Sequence, residues 1–94
     1  MTPPFAVRTT PRFDRLAKAL TPRHLEFPSR YDRARAILAA DPYNRGRAYQ
    51  IKKLEGVQEA RWRLSLGRFR FRYDIEGQEV ILHYCGLRRE DTYD

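Results

Sequence analysis

The sequence predicts an α+β protein in which, after one short strand, two helices precede the remaining strands. Three observations predict it. Apolar residues recur at helical spacing as far as Leu38, and side chains alternate with period two from Arg61 onward. Proline and glycine punctuate the stretches between. The 94 residues read as one domain, 1–94. A chain of this size buries only about 60–65% of the surface its unfolded form exposes, enough for a single modest core.

The first segment, Phe5–Thr10 (FAVRTT), is short, with aromatic and β-branched members, and reads as a strand. Thr10-Pro11 then supplies an N-cap followed by proline at the first helical position. Phe13, Leu16, Ala17 and Leu20 follow at i, i+3, i+4 and i+7, which makes one helix face apolar, and Thr21-Pro22 ends it. Pro28 is expected to break any helix through its position. Ser29 is the expected cap of a second helix, with Asp32 as its capping-box acid. Tyr31, Ala34 and Ile37 or Leu38 form the buried stripe of that helix, and Asp41-Pro42 stops it. The stretch from Asp41 to Gln50 reads as a loop.

The second half alternates. Trp62, Leu64 and Leu66 point one way, and Arg61, Arg63 and Ser65 the other. After Gly67, the apolar set continues through Phe69, Phe71, Tyr73 and Ile75, opposite Arg68, Arg70, Arg72 and Asp74. A two-residue type II′ turn at Gly67-Arg68 sets Leu66 against Phe69, Ser65 against Arg70, Leu64 against Phe71, Arg63 against Arg72 and Trp62 against Tyr73. Every pair then matches in polarity. A second hairpin turns within Glu76–Glu79. With Ile75 facing Val80, regular pairing puts Tyr73 against Leu82, Phe71 against Tyr84, Arg72 against His83 and Arg70 against Cys85.

Charge points to a partner. The net charge is +7, and 16 of the 19 cations are Arg, whose planar fork suits phosphate. Residues 45–72 hold nine Lys or Arg against Glu55 and Glu59, a local +7, while residues 73–94 hold two Arg against six acids, a local −4. Arg63, Arg70 and Arg72, with Ser65 and His83, share the expected polar face, and Lys52 and Lys53 extend it. Like charges facing each other in a sheet cost about 0.2–1 kcal/mol per pair. A solvated face with Arg stems lying on apolar surface is the alternative reading. Counterion release from a polyanion is the stronger account of so concentrated a stripe. Neither helix has the basic start or the spacing of a DNA-reading helix-turn-helix, so single-stranded RNA is the better fit.

No apolar run approaches the ~20 residues needed to span a bilayer. The first ten residues lack the apolar segment of a signal peptide, so a cytoplasmic protein is expected. Cys85 is the sole cysteine, which excludes an internal disulfide and leaves too little sulfur for a zinc site. A buried strand thiol is the expectation for it, with no metal and no cofactor.

The segments KKLEG, WRLSLGRFRFRY and VILHYCGLRREDTY resemble toxins of the RelE/ParE superfamily, found in bacterial toxin–antitoxin pairs. The cadence is Lys-Leu-x-Gly, an aromatic-Arg-apolar strand, Gly, an aromatic-Arg-x-x-Tyr strand, and a final Arg with Tyr a few residues later. The resemblance implies two N-terminal helices packed on one face of a mainly antiparallel, roughly four-stranded sheet. In the RelE-like branch it implies a metal-independent mRNA endonuclease acting in the ribosomal A site. There the messenger's 2′-OH attacks the adjacent phosphate.

Carried over by position, Arg70 neutralises the developing phosphorane and Arg63 holds the backbone. Arg88 serves the leaving group, with Arg89 as its fallback, and Tyr93 orients or stacks on a base. Lys52, Lys53, Arg61, Arg68, Arg72 and Arg89 complete the expected RNA-binding set. Many RelE-like chains have a Lys where Ser65 stands. Ser65 is a poor base, so His83, whose imidazole can accept a proton, becomes the candidate for taking the 2′-OH proton. A packing role is the alternative for His83 and for Tyr93. The expected partners are a cognate antitoxin, mRNA and the ribosome. The competing reading is a ParE-like, non-catalytic toxin that binds DNA gyrase, and a third is an RNA-binding protein without toxicity.

Overall fold

A computed structural model describes residues 3–88. In chain order the elements are β1 (Ala6–Thr9), α1 (Pro11–Leu20), α2 (Phe27–Ala40), β2 (Gln50–Lys53), β3 (Trp62–Leu66), β4 (Phe69–Glu76) and β5 (Glu79–Leu87). The strands form one sheet in the order β1-β5-β4-β3-β2. β1 runs parallel to β5, and every other pairing is antiparallel. The architecture is therefore α+β, with five strands in a mixed sheet rather than about four. The additional strand is β2, taken from sequence as loop and lead-in. Gln50–Lys53 has no alternation of its own to reveal it and is held by pairing with Trp62–Ser65 and by Ile51 against the core.

The first helix begins as its sequence dictates. Thr10 Oγ1 accepts the Phe13 amide at 3.1 Å, Pro11 follows the cap, and Thr21 closes the last turn onto Ala17 O. The second helix starts earlier than expected. Pro28 sits within its first turn, where a missing amide hydrogen costs nothing, so it opens α2 instead of breaking it. Ser29 does not cap; its hydroxyl donates to Glu26 O at 3.0 Å, and no side chain caps the helix. Asp41 ends α2 and then turns its carboxylate to the next loop, accepting the amides of Arg45 and Gly46 at 2.8 and 2.9 Å.

Both helices cover the same sheet face. Phe13 of α1 and Phe27, Ala34, Ile37 and Leu38 of α2 are buried with Leu64, Phe69, Phe71, Tyr73, Val80, Leu82 and Cys85. Phe27 meets Phe69 edge-on and stacks on Phe71, with ring centroids 5.3 and 6.1 Å apart. Tyr73 is fully buried, and its hydroxyl finds the one acceptor it needs, Pro42 O at 2.7 Å. Burial pushes its phenol pKa upward, and the nearby Asp41 carboxylate adds to that. The Cys85 thiol is buried too, and burial pushes its pKa up to about 12.

The β3–β4 hairpin has the expected register at all five pairs. Gly67 has φ +58° and Arg68 does not share the left-handed region, the combination a type II′ turn requires. The β4–β5 register starts as expected, with Ile75 on Val80 and Tyr73 on Leu82, and then slips. Arg72 pairs with Tyr84 rather than His83, Phe71 with Cys85 rather than Tyr84, and Arg70 with Gly86 rather than Cys85. His83 is the extra residue of a β-bulge. Alternation could not reveal it, because Val80, Ile81 and Leu82 are all apolar and fit either phase.

Candidate nucleic-acid interface

The sheet face turned away from the helices is built from two cross-strand rows. One runs Lys52, Arg63, Arg72, Tyr84 across β2, β3, β4 and β5; the next runs Gln50, Ser65, Arg70, Gly86. Neighbours in a row are about 4.8 Å apart and the rows about 6.7 Å apart, so four cations share a patch roughly 15 Å wide. Strand alternation puts the three arginines there, since the residues flanking them, Trp62, Leu64, Phe69, Phe71 and Tyr73, pack on the core side. Arg63 is half-buried, and its Nε has no hydrogen-bond partner among the described residues. Arg72 Nε donates to Ala60 O at 3.3 Å, which fixes the guanidinium against the end of the β2–β3 loop.

That loop is anchored by Asp74. Its Oδ2 accepts the Ala60 amide at 2.7 Å, and its Oδ1 accepts the Arg61 amide at 2.9 Å. Ala60, at φ +54°, is held in a left-handed conformation that L-residues otherwise avoid. His83 Nε2 lies 3.2 Å from the same Asp74 Oδ2, so the bulge delivers its imidazole to Asp74 rather than to Arg72. The two share a cleft of about 290 Å³ with Gln58, Glu59, Arg61 and Glu76. Along β5, His83 precedes Gly86 by three residues, which puts it roughly 10 Å from the register position of Arg70. The structure therefore does not bring the expected base to the central arginine.

Arg88 behaves differently. Its amide donates to Arg68 O at 2.6 Å, which extends the ladder past β5. It lines a cleft of about 430 Å³ with Arg33, Tyr49, Gln50, Ser65 and Gly67. Ser65 and Arg88 are thus brought together, and Arg70 is the cross-strand partner of Ser65. Arg33 enters from α2. Nothing in the sequence distinguished it from the other arginines of that helix.

The remaining expected residues divide. Lys52 stays on the basic face, opposite Arg63, but Lys53 faces the other way, its Nζ 5.6 Å from the centre of the Trp62 ring. Arg61 is exposed, with Nε donating to Gln58 O at 3.3 Å. Arg68, at the hairpin tip, lies 3.6 Å from Glu26. Arg89 and Tyr93 fall outside the described residues. Tyr84 was missed from sequence, where it was paired with Phe71 on the core side. The bulge turns it onto the basic face, half-buried, with the Arg12 guanidinium 5.7 Å from its ring centre. The face therefore carries an aromatic ring that alternation had assigned to the core.

No protein-family model matches this sequence, and no curated protein does. Among solved structures, the chain is similar to one described as the crystal structure of an archaeal RelE–RelB complex from Pyrococcus horikoshii OT3. The TM-score is 0.67 over 90% of this chain and 96% of that one, at 19% sequence identity. At that identity the likeness is one of fold: the RelE-like arrangement of two helices on a β-sheet.

Proposed function

We propose that this chain is the toxin of a toxin–antitoxin pair and that it cleaves mRNA held on the basic sheet face. The observation that carries the reading is the set of in-register rows, Lys52–Arg63–Arg72 beside Ser65–Arg70, next to a cleft containing Arg88. Cations fixed on rigid strands are the arrangement a pentacovalent phosphate needs, because they face the developing charge without reorganising. Arg63 and Arg72, partners in one row, hold the backbone beside the scissile phosphate, and Arg70 in the next row neutralises its equatorial oxygens. The 2′-OH attacks phosphorus, the bond to the 5′-oxygen breaks, and the products are a 2′,3′-cyclic phosphate and a 5′-OH. Arg88 serves the departing 5′-oxygen. The 2′-OH proton passes to Tyr93 or to His83. Substituting His83 by Gln decides between them: cleavage falls if His83 is the base and persists if it only braces Asp74.

The likeness to a chain from a RelE–RelB complex supports a cognate antitoxin as partner, one that covers the basic face with acidic side chains. The engagement of His83 with Asp74, and the lack among the described residues of a His or carboxylate beside Ser65, favour one competitor, a non-catalytic toxin directed at a protein such as DNA gyrase. Primer extension on mRNA bound to translating ribosomes separates the two. The expected result is discrete cleavage with cyclic-phosphate ends, lowered about 10²-fold or more in Arg70→Ala. Growth arrest with intact ribosome-bound mRNA would replace the nuclease reading with the gyrase-type one.

A further inference from the structure

A pocket of about 340 Å³ opens beside the Lys52–Arg63–Arg72 row, lined by Lys52, Leu54, Glu55, Val57 and Arg72. Its size falls at the lower end of the range for small-ligand sites, roughly 300–1,000 Å³. The loop that contributes Leu54, Glu55 and Val57 is held at both ends. Leu54 N donates to Arg61 O at 2.7 Å, Asp74 takes the amides of Ala60 and Arg61, and Arg72 reaches Ala60 O. The pocket therefore exists before any ligand arrives, and little ordering cost remains to be met on binding.

The lining describes its occupant. Leu54 and Val57 are half-buried aliphatic side chains, and Arg72 adds a planar guanidinium oriented by its bond to Ala60 O. Aliphatic surface beside a guanidinium plane accommodates a flat, unsaturated ring. Lys52 and Arg72 bring positive charge, which suits a ring attached to phosphates. Glu55 is exposed and, when ionised, only accepts hydrogen bonds, so it selects a ring edge that carries donors. A flat ring, an anionic linkage and a donor edge together describe a nucleotide whose base has an exocyclic amino group.

We propose that this pocket receives one base of the bound single-stranded RNA and that Glu55 favours cytosine over uracil there. The N4 amino group of cytosine donates to the carboxylate, whereas the O4 of uracil would set one acceptor against another. The inference rests on reading the basic face as an RNA site, and it adds a residue that determines sequence preference.

The test is fluorescence anisotropy of 5′-labelled hexamers, rC6 and rU6, with the full chain at 50 mM salt. The expected result is about 3–10-fold tighter binding of rC6, the scale of one hydrogen bond. Glu55→Ala should bring the ratio close to one, whatever it does to the absolute affinities. Arg63→Ala should weaken both RNAs while preserving the ratio. Equal binding of rC6 and rU6 by the parent chain, or a preference that survives Glu55→Ala, overturns the pocket assignment and leaves the basic face intact. Failure of both RNAs to bind overturns the two readings together.

Discussion

Replacing Asp74 by Ala should destabilise the protein by about 1.5–5 kcal/mol and release the β2–β3 loop. The magnitude follows from what its carboxylate accepts: the Ala60 amide at 2.7 Å, the Arg61 amide at 2.9 Å and the His83 imidazole at 3.2 Å. Ala60 is only 7% exposed, so its amide gains no water when the carboxylate goes, and a buried donor left unsatisfied costs about 1–3 kcal/mol. Arg61 is exposed and its amide is rehydrated, which limits that loss to about 0.5–1 kcal/mol. The contact with His83 contributes at most about 1 kcal/mol, because both side chains keep some access to solvent. Urea unfolding measures the sum, and amide hydrogen exchange at residues 60 and 61 measures the local part. Asp74→Asn should fall between, since the amide group retains one acceptor oxygen and turns a donor towards the other amide. A loss below about 0.5 kcal/mol, with the Ala60 amide still protected, would refute the anchoring argument.

Tyr73→Phe should cost about 1–3 kcal/mol in chemical unfolding, because it strands the buried Pro42 carbonyl; a neutral substitution would mean that another donor reaches it. Alkali should also destabilise the fold. Burial raises the pKa of Cys85 from 9.0 to about 12 and that of Tyr73 as well, so the unfolded chain loses these protons first. Their contribution is complete below about pH 9 and falls by up to ~1.4 kcal/mol per pH unit per group as pH rises towards the folded values. Urea midpoints measured from pH 8 to 11 should therefore show a shallower slope in Cys85→Ala, and an unchanged slope would count against a neutral buried thiol. Arg47 is exposed at φ +55°, so Arg47→Gly should raise stability by up to about 1 kcal/mol in thermal unfolding, and a loss would show that its side chain is used.

The sequence made legible whatever a repeating pattern encodes. The β3–β4 register could be read because every cross-strand pair agreed in polarity, and α1 because Thr10, Pro11 and the apolar stripe point the same way. β2 was illegible because Gln50–Lys53 is an edge strand of four residues whose only argument for being a strand is its neighbour. Pro28 was read as a barrier although proline is equally at home in a first turn. The candidate site was legible in its arginines and not in its surroundings. Arg63, Arg70 and Arg72 follow from alternation, whereas Asp74 as the loop anchor, Tyr84 on the basic face and Arg33 across the cleft depend on contacts between segments distant in sequence.

Counting residues along β5 shows what the single additional amino acid at His83 does to everything after it. In an unbroken ladder from Ile75–Val80, even-numbered positions would continue inward, so Tyr84, Gly86 and Arg88 would point at the helices while Cys85 and Leu87 faced outward. The bulge reverses odd and even, and this puts the thiol of Cys85 in the interior and the backbone of Arg88 in register with Arg68. The pairs on either side of it, Tyr73–Leu82 and Arg72–Tyr84, are those of a regular ladder with one residue set aside. Removing that one codon would therefore close the ladder with Tyr84, Gly86 and Arg88 still facing away from the helices, and would cost the His83–Asp74 contact. The additional residue thus shifts the numbering and not the faces, and what it adds is an imidazole on the carboxylate that anchors the β2–β3 loop.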